Sequence, residues 1–212
     1  MARIENFCFQ FAKELPRVAA RRIAGMVEAK TDSTGDVAIK GDLAQMLASI
    51  RTESGASLLA LAEESPVLLV FLRHFGCSFC RMTIAQIGEL QGELKARGVK
   101  PVFVHLGTSE IAQAHFEFYK MSDVERINDP GAAIYKNPAF GLGQQRVWWQ
   151  LVNPNVWGGW LLKGLIFKHG IGKIQGDGSQ MPGVFFLQGP KIVRKFIYKN
   201  ISDQPKWLKL VS

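Results

Sequence analysis

Val67-Leu68-Leu69-Val70-Phe71-Leu72-Arg73-His74-Phe75-Gly76-Cys77-Ser78-Phe79-Cys80 decides how this chain folds. Its first part, Val67 to Leu72, is apolar throughout. A short, fully apolar run reads as a strand buried on both faces. Beyond the stretch, Ile84, Ile87, Leu90 and Leu94 recur at helical spacing until Gly98. That pattern reads as an amphipathic helix with glycine at its C′ position. The two cysteines therefore stand where a buried strand gives way to a helix N-terminus. Unpaired backbone N–H groups and the positive end of the helix dipole stabilise a thiolate there, at the first cysteine.

The spacing divides the labour between the thiols. Cys77 is expected at the helix edge with its sulfur open to solvent. Cys80 follows about one helical turn later, so the sulfurs can bridge with little backbone movement. The outer thiolate attacks a disulfide or peroxide, and the inner thiol resolves the mixed intermediate. Arg73, His74 and Arg81 surround the pair with positive or potentially positive charge. Two other readings exist, a structural disulfide and half of a zinc site. Zinc needs about four ligands, and the remaining cysteine, Cys8, lies far off in a segment that reads as apolar packing. Redox chemistry is the stronger reading.

With 212 residues and 47% hydrophobic content, the chain can bury one sizeable core. The expected division is a helical extension and loop over residues 1–41, then one domain over residues 42–212. Three cysteines are too few for a disulfide-stapled scaffold, and the odd count fits a reducing compartment. No apolar signal-type stretch opens the sequence, and Glu5, Glu14 and Glu28 argue against a transit segment. The expected location is the cytoplasm. The net charge is +8, but its Lys and Arg are scattered and no nucleic-acid motif accompanies them. A basic surface suits anionic substrates or a phospholipid surface equally well.

The order of elements follows from patterning and turn residues. Phe7, Phe11 and Leu15 give residues 1–30 a helical face, broken at Pro16. Asp42 is a candidate N-cap for a helix through Ile50, and a further helix runs from Ser57 to Glu64. Pro101 to Leu106 reads as a second buried strand parallel to the first. Ser109 caps the next helix, and Arg126 to Asn128 adds a short strand. Val184 to Leu187 and Ile192 to Tyr198 flank Gln188-Gly189-Pro190 as a hairpin, and Asp203 caps a last helix through Leu210. This is the order of a thioredoxin-like α/β fold with a central mixed sheet. In such folds a cis-proline loop precedes the first hairpin strand beside the dithiol, and Met181-Pro182-Gly183 occupies that place. Pro182 is therefore expected to be cis, with Met181 offering its backbone to a substrate.

Residues 136–173 exceed what that fold needs. They hold Trp148, Trp149, Trp157 and Trp160, followed by Leu161, Leu162, Leu165, Ile166 and Phe167. Pro154, several glycines and Lys163 argue against a membrane span. The insertion can cover the dithiol, form a dimer interface or lie at a membrane surface.

Val67 through Arg81 resembles the active-site segment of peroxiredoxin-like proteins of the AhpC/TSA class. The resemblance is to the branch related to selenoprotein L and the peroxiredoxin-like 2 proteins. It extends to Asn128-Asp129-Pro130 through Tyr135 and Gly141, to Arg146-Val147-Trp148-Trp149, and to Gly176-Asp177-Gly178-Ser179-Gln180 leading into Gly183-Val184-Phe185-Phe186. It covers about residues 42 to 212. The resemblance implies a thioredoxin fold, a redox-active Cys77–Cys80 pair with Arg73 and Arg81 beside it, and reductase or peroxidase chemistry. Typical peroxiredoxins carry a threonine where this chain has His74, which weakens the peroxidase expectation and strengthens disulfide exchange. Arg146 is the candidate for their peroxide-orienting arginine.

The expected function is thus a thiol oxidoreductase that reduces peroxides or protein disulfides without metal or organic cofactor. Cys77, Cys80, Arg73 and Pro182 form its site, and thioredoxin or glutathione supplies electrons. The rival expectation is a redox-switched adaptor binding a partner or membrane through the Trp-rich insertion; a homodimer is compatible with either.

Overall fold

A computed structural model describes residues 43–145, 154, 157–158, 169–170, 172–174 and 176–212, all within the unit Thr34–Ser212. The expected N-terminal helix with Cys8, the cap at Asp42, Arg146 and most of the Trp-rich insertion lie outside the described residues. A helix over residues 43–49 (α1) leads to α2 (Leu58–Glu64) and strand β1 (Val67–Phe71). Helices α3 (Ser78–Glu89) and α4 (Gln91–Ala96) connect β1 to β2 (Lys100–His105). Helix α5 (Ser109–Phe118) precedes β3 (Glu125–Asn128). The hairpin β4 (Gly183–Gln188) and β5 (Lys191–Ile197) and the short α6 (Trp207–Leu210) close the chain.

The sheet order is β3-β2-β1-β4-β5. β1 pairs parallel with β2, Val67 facing Lys100 and Phe71 facing Val104. It pairs antiparallel with β4, Phe71 facing Gly183. β1 is therefore the central strand, and its unbroken apolar run has a physical cause. Leu68, Val70 and Leu72 pack with Ile84 and Ile87 of α3 and Phe116 of α5. Val67, Leu69 and Phe71 pack on the other face with Leu47, Leu58 and Tyr135. Burying each such side chain contributes about 1.5–3 kcal/mol before chain entropy is subtracted. That order matches the mixed α/β sheet and helices expected of a thioredoxin-like fold.

Several element ends differ from the expectations. The helix after the dithiol is two segments joined at Leu90, whose ψ of 1° departs from regular helix. Its N–H still bonds Gln86 and Ile87 carbonyls at 3.2 and 3.1 Å. Gly98 does end the second segment, at φ +67°. Thr108, not Ser109, caps α5: its side chain accepts from Ile111 N–H. Asp203 does not cap α6, which starts only at Trp207. Its carboxylate instead accepts the N–H groups of Lys199 (2.9 Å) and Asn200 (3.1 Å), fixing the turn after β5.

Candidate active site

The strand-to-helix junction folds as it does because Gly76 admits a close neighbour. A Cβ there would lie 2.2 Å from the Lys173 carbonyl oxygen and 2.4 Å from that of Gly172. Gly172 donates its N–H to the Gly76 carbonyl at 3.0 Å. Ser78 Oγ donates to the Gly170 carbonyl at 2.6 Å, and Arg81 Nη1 to that of His169 at 2.7 Å. Arg81 Nε is bonded to the Phe75 carbonyl. The described end of the insertion is thus strapped across the residues flanking Cys77. On the other side, Phe75 stacks on His115 at 4.8 Å and approaches His105 at 5.4 Å.

Cys77 is the N-cap of α3, with φ −85° and ψ 120°. Cys80 lies in the first turn, and its sulfur accepts the Arg73 backbone N–H at 3.3 Å. Both thiols are free. The expected open sulfur at Cys77 is corrected: the residue is only 8% exposed, because the strap and the sheet end enclose the helix start. Depth does not erase the asymmetry. A hydrogen bond from the Cys80 thiol holds the Cys77 pKa well below a free thiol's. Burial opposes this, while the Arg73 guanidinium and the N–H groups of Cys80 and Phe79 add to it. The Cys80 thiol is pushed well up, since it donates that hydrogen bond, is buried and faces the Cys77 charge. One thiolate and one thiol is the preferred state of the pair.

The charges around the pair are not all as expected. Arg73 is 4% exposed, and its Nε donates to the Gly178 carbonyl at 2.9 Å with Nη2 on the same oxygen. The segment Gly176–Gln180 therefore serves as its anchor, with Asp177 accepting from Ser179 N–H (2.9 Å) and Gln144 Nε2 (2.9 Å). His74 is neutral: burial, then Arg73 and Arg81, push its pKa down to about 4. Its buried Nδ1 has no hydrogen-bond partner. Among the described residues, no group of three or more His, Cys, Asp or Glu is placed to hold a metal ion.

Pro182 lies where expected and in the other isomer. The antiparallel register places it one residue before Gly183, opposite the end of β1, and it lines a cavity with Cys77, Cys80 and Arg73. Yet no peptide bond among the described residues is cis. Trans is the lower-energy X–Pro isomer by about 0.5–1 kcal/mol, and here the approach to β4 needs no reversal. Met181 N–H is already fixed on the Gly143 carbonyl at 3.0 Å, and Gln144 bridges Gln180. That amide is therefore not free for a substrate. Thr83, Tyr198, Ile201 and Gln204 complete the cavity. Sequence reasoning missed these four, and none carries a local signature.

No family model matches the chain. It is similar to a prostamide/prostaglandin F synthase of Danio rerio, 29% identical over 167 residues, 76% of this chain and 80% of that protein. A like-named protein of Salmo salar is 39% identical over 72 residues, only 34% of each chain, so this chain spans about a third of that relative. In three dimensions it resembles peroxiredoxin 6 of Arenicola marina, with a TM-score of 0.52 and 12% identity, covering 76% of this chain and 66% of that one. Sequence and fold together give the chain a thioredoxin-like fold and a similarity to peroxiredoxin-like proteins, with two free cysteines at the start of α3.

Proposed function

We propose that the protein reduces peroxides or disulfides with Cys77 as nucleophile and Cys80 as resolving thiol. The observation that carries this is the asymmetry of the pair: Cys77 caps α3 and is held as thiolate by Cys80 and Arg73. With a disulfide, the thiolate displaces one half as a thiolate and forms a mixed disulfide. Cys80 then displaces the other half, so two thiols leave and Cys77–Cys80 is oxidised. With a hydroperoxide, the thiolate takes the terminal oxygen and an alkoxide leaves, protonated by water. Cys80 condenses with the sulfenic acid and expels water. Two electrons return from one thioredoxin-type dithiol, which leaves as its disulfide, or from two molecules of glutathione, which leave as glutathione disulfide, in keeping with a reducing, cytoplasmic setting.

The test is turnover. With excess hydrogen peroxide or oxidised protein substrate and a recycling dithiol, consumption should pass many equivalents per chain. Consumption that stops after one equivalent would leave only a redox switch.

A further inference from the structure

Deepening the redox reading above, and resting on it, we infer that Gln204 is the specificity-determining residue of the dithiol. Its carboxamide binds the O–O–H group of a hydroperoxide facing Cys77, so oxygen oxidants are preferred to disulfides.

Gln204 lines the cavity that also contains Cys77, Cys80 and Pro182. Both its Oε1 and its Nε2 are shut off from solvent, and neither has a hydrogen-bond partner. Most of the wall around it is apolar or already committed. Phe71, Leu72, Phe79 and Ile201 offer no polar side-chain atom. Tyr198 and Thr83 are hydrogen-bonded to each other, and Arg73 is tied to the Gly178 carbonyl. A buried carboxamide with both functions unmet is costly, and such groups in native structures require an explanation. The backbone on either side of it is fixed. Asp203 pins the turn after β5 through Lys199 and Asn200, and buried Pro205 fixes the backbone on the other side.

The shape of the unmet group selects the ligand. A carboxamide offers two N–H donors and one strong acceptor oxygen. A hydroperoxide offers one O–H donor and two acceptor oxygens, whereas a dialkyl disulfide has no donor and only weak sulfur acceptors. The cavity, about 10 Å³, holds on the order of one water-sized group. The end of a hydroperoxide suits it; two carbon-flanked sulfurs do not. The Gln204 carbonyl accepts from the terminal O–H, and its N–H donates to the inner oxygen. As Cys77 sulfur bonds to the terminal oxygen and the O–O bond breaks, charge grows on that inner oxygen. The N–H stabilises it until water protonates the alkoxide.

The experiment compares reduced full-length wild type with Gln204→Leu, following oxidation by hydrogen peroxide and by diethyl disulfide. The expected result is a fall of about tenfold or more in the peroxide rate constant. The disulfide rate constant should stay within about twofold, and the melting temperature should be unchanged or raised, because an apolar replacement removes unpaired polar groups. Equal losses with both oxidants would make Gln204 a packing residue, and no loss with either would leave it holding a water only. Should Gln204→Leu fail to fold, Gln204→Met serves for the same comparison. Failure of both to fold would overturn the proposal in favour of a structural role. A wild type oxidised only by the disulfide would sink the inference but leave the oxidoreductase reading intact. A wild type inert to both would sink that reading itself.

Discussion

Arg73 bears on both thiols: its guanidinium favours the Cys77 thiolate, and its backbone N–H bonds the Cys80 sulfur. Replacing it with methionine removes the cation and keeps the N–H, so the two effects separate. The Cys77 pKa should rise, since the charged form loses a favourable neighbour. Ultraviolet thiolate absorbance should then show a transition displaced to higher pH. The alkylation rate of Arg73→Met should lag wild type near neutrality and converge with it in alkali, where both are thiolates. Superimposable titrations would remove the guanidinium from the mechanism. The roles of the two cysteines have their own test. Cys77→Ser should abolish turnover, and Cys80→Ser should leave a mixed disulfide or sulfenic acid at Cys77, readable by mass spectrometry. Preferential alkylation of Cys80 in wild type would reverse the assignment. Cys77, Cys80 and Arg73 were legible in the sequence because a dithiol between a strand and a helix is a local pattern. The burial of Cys77 was not, because Ser78 meets Gly170 across 92 residues of chain. Gln204 was less legible still, since a glutamine before a proline says nothing of which cavity it enters.

At the scale of elements, the strap and the dithiol loop meet where only glycine fits. Gly76→Ala would set a Cβ against two carbonyl oxygens, and backbone cannot rotate away as a side chain can. The strap should lift from the loop, releasing the bonds from Gly172 N–H and Ser78 Oγ. Iodoacetamide should then label Cys77 at least severalfold faster, with a loss of roughly 1–3 kcal/mol of stability from the broken contacts. Unchanged labelling would mean that the strap does not govern access. Pro182→Ala has a milder expected outcome than a cis proline would give. The bond is already trans, so the variant loses packing against the cavity and chain stiffness, and turnover should fall by no more than a few-fold. Strands were the most legible elements because β1 directly follows Pro66, β2 carries Pro101 at its start, and both are buried over most of their length. Helix ends were less so. Thr108 and Ser109 are both good caps by residue type, and only the hydrogen bond that Thr108 accepts from Ile111 N–H tells which one serves. The break at Leu90 has no glycine or proline to announce it.

For the molecule as a whole, the parallel strands β1, β2 and β3 all end on the side where the dithiol sits, and one buried side chain ties those ends together. β3 runs into Asp129, whose carboxylate accepts the N–H groups of Ala133 (2.9 Å), Ile134 (2.8 Å) and Tyr135 (3.3 Å). That turn sends Tyr135 beneath the sheet, fully buried against Phe71 with ring centroids 4.9 Å apart. Its hydroxyl meets the carbonyls of Leu72 and of Val104, the latter at 2.8 Å. Leu72 is the last residue before Arg73, so the face remote from the strap supports the peptide from which the dithiol loop departs. Burial pushes the phenol pKa well up, so the group remains a donor at every pH where the protein functions. Tyr135→Phe keeps the ring packing and removes only the hydroxyl. Leaving its carbonyl partners less well satisfied in the core should lower the unfolding free energy by about 1–3 kcal/mol. The denaturant midpoint should fall with no change in slope, since the surface exposed on unfolding is the same. If the tie also sets the dithiol, the Cys77 alkylation rate should change together with stability, although the ring lies on the opposite face. A stability loss with the alkylation rate untouched would confine Tyr135 to the core and leave the loop held by the strap alone.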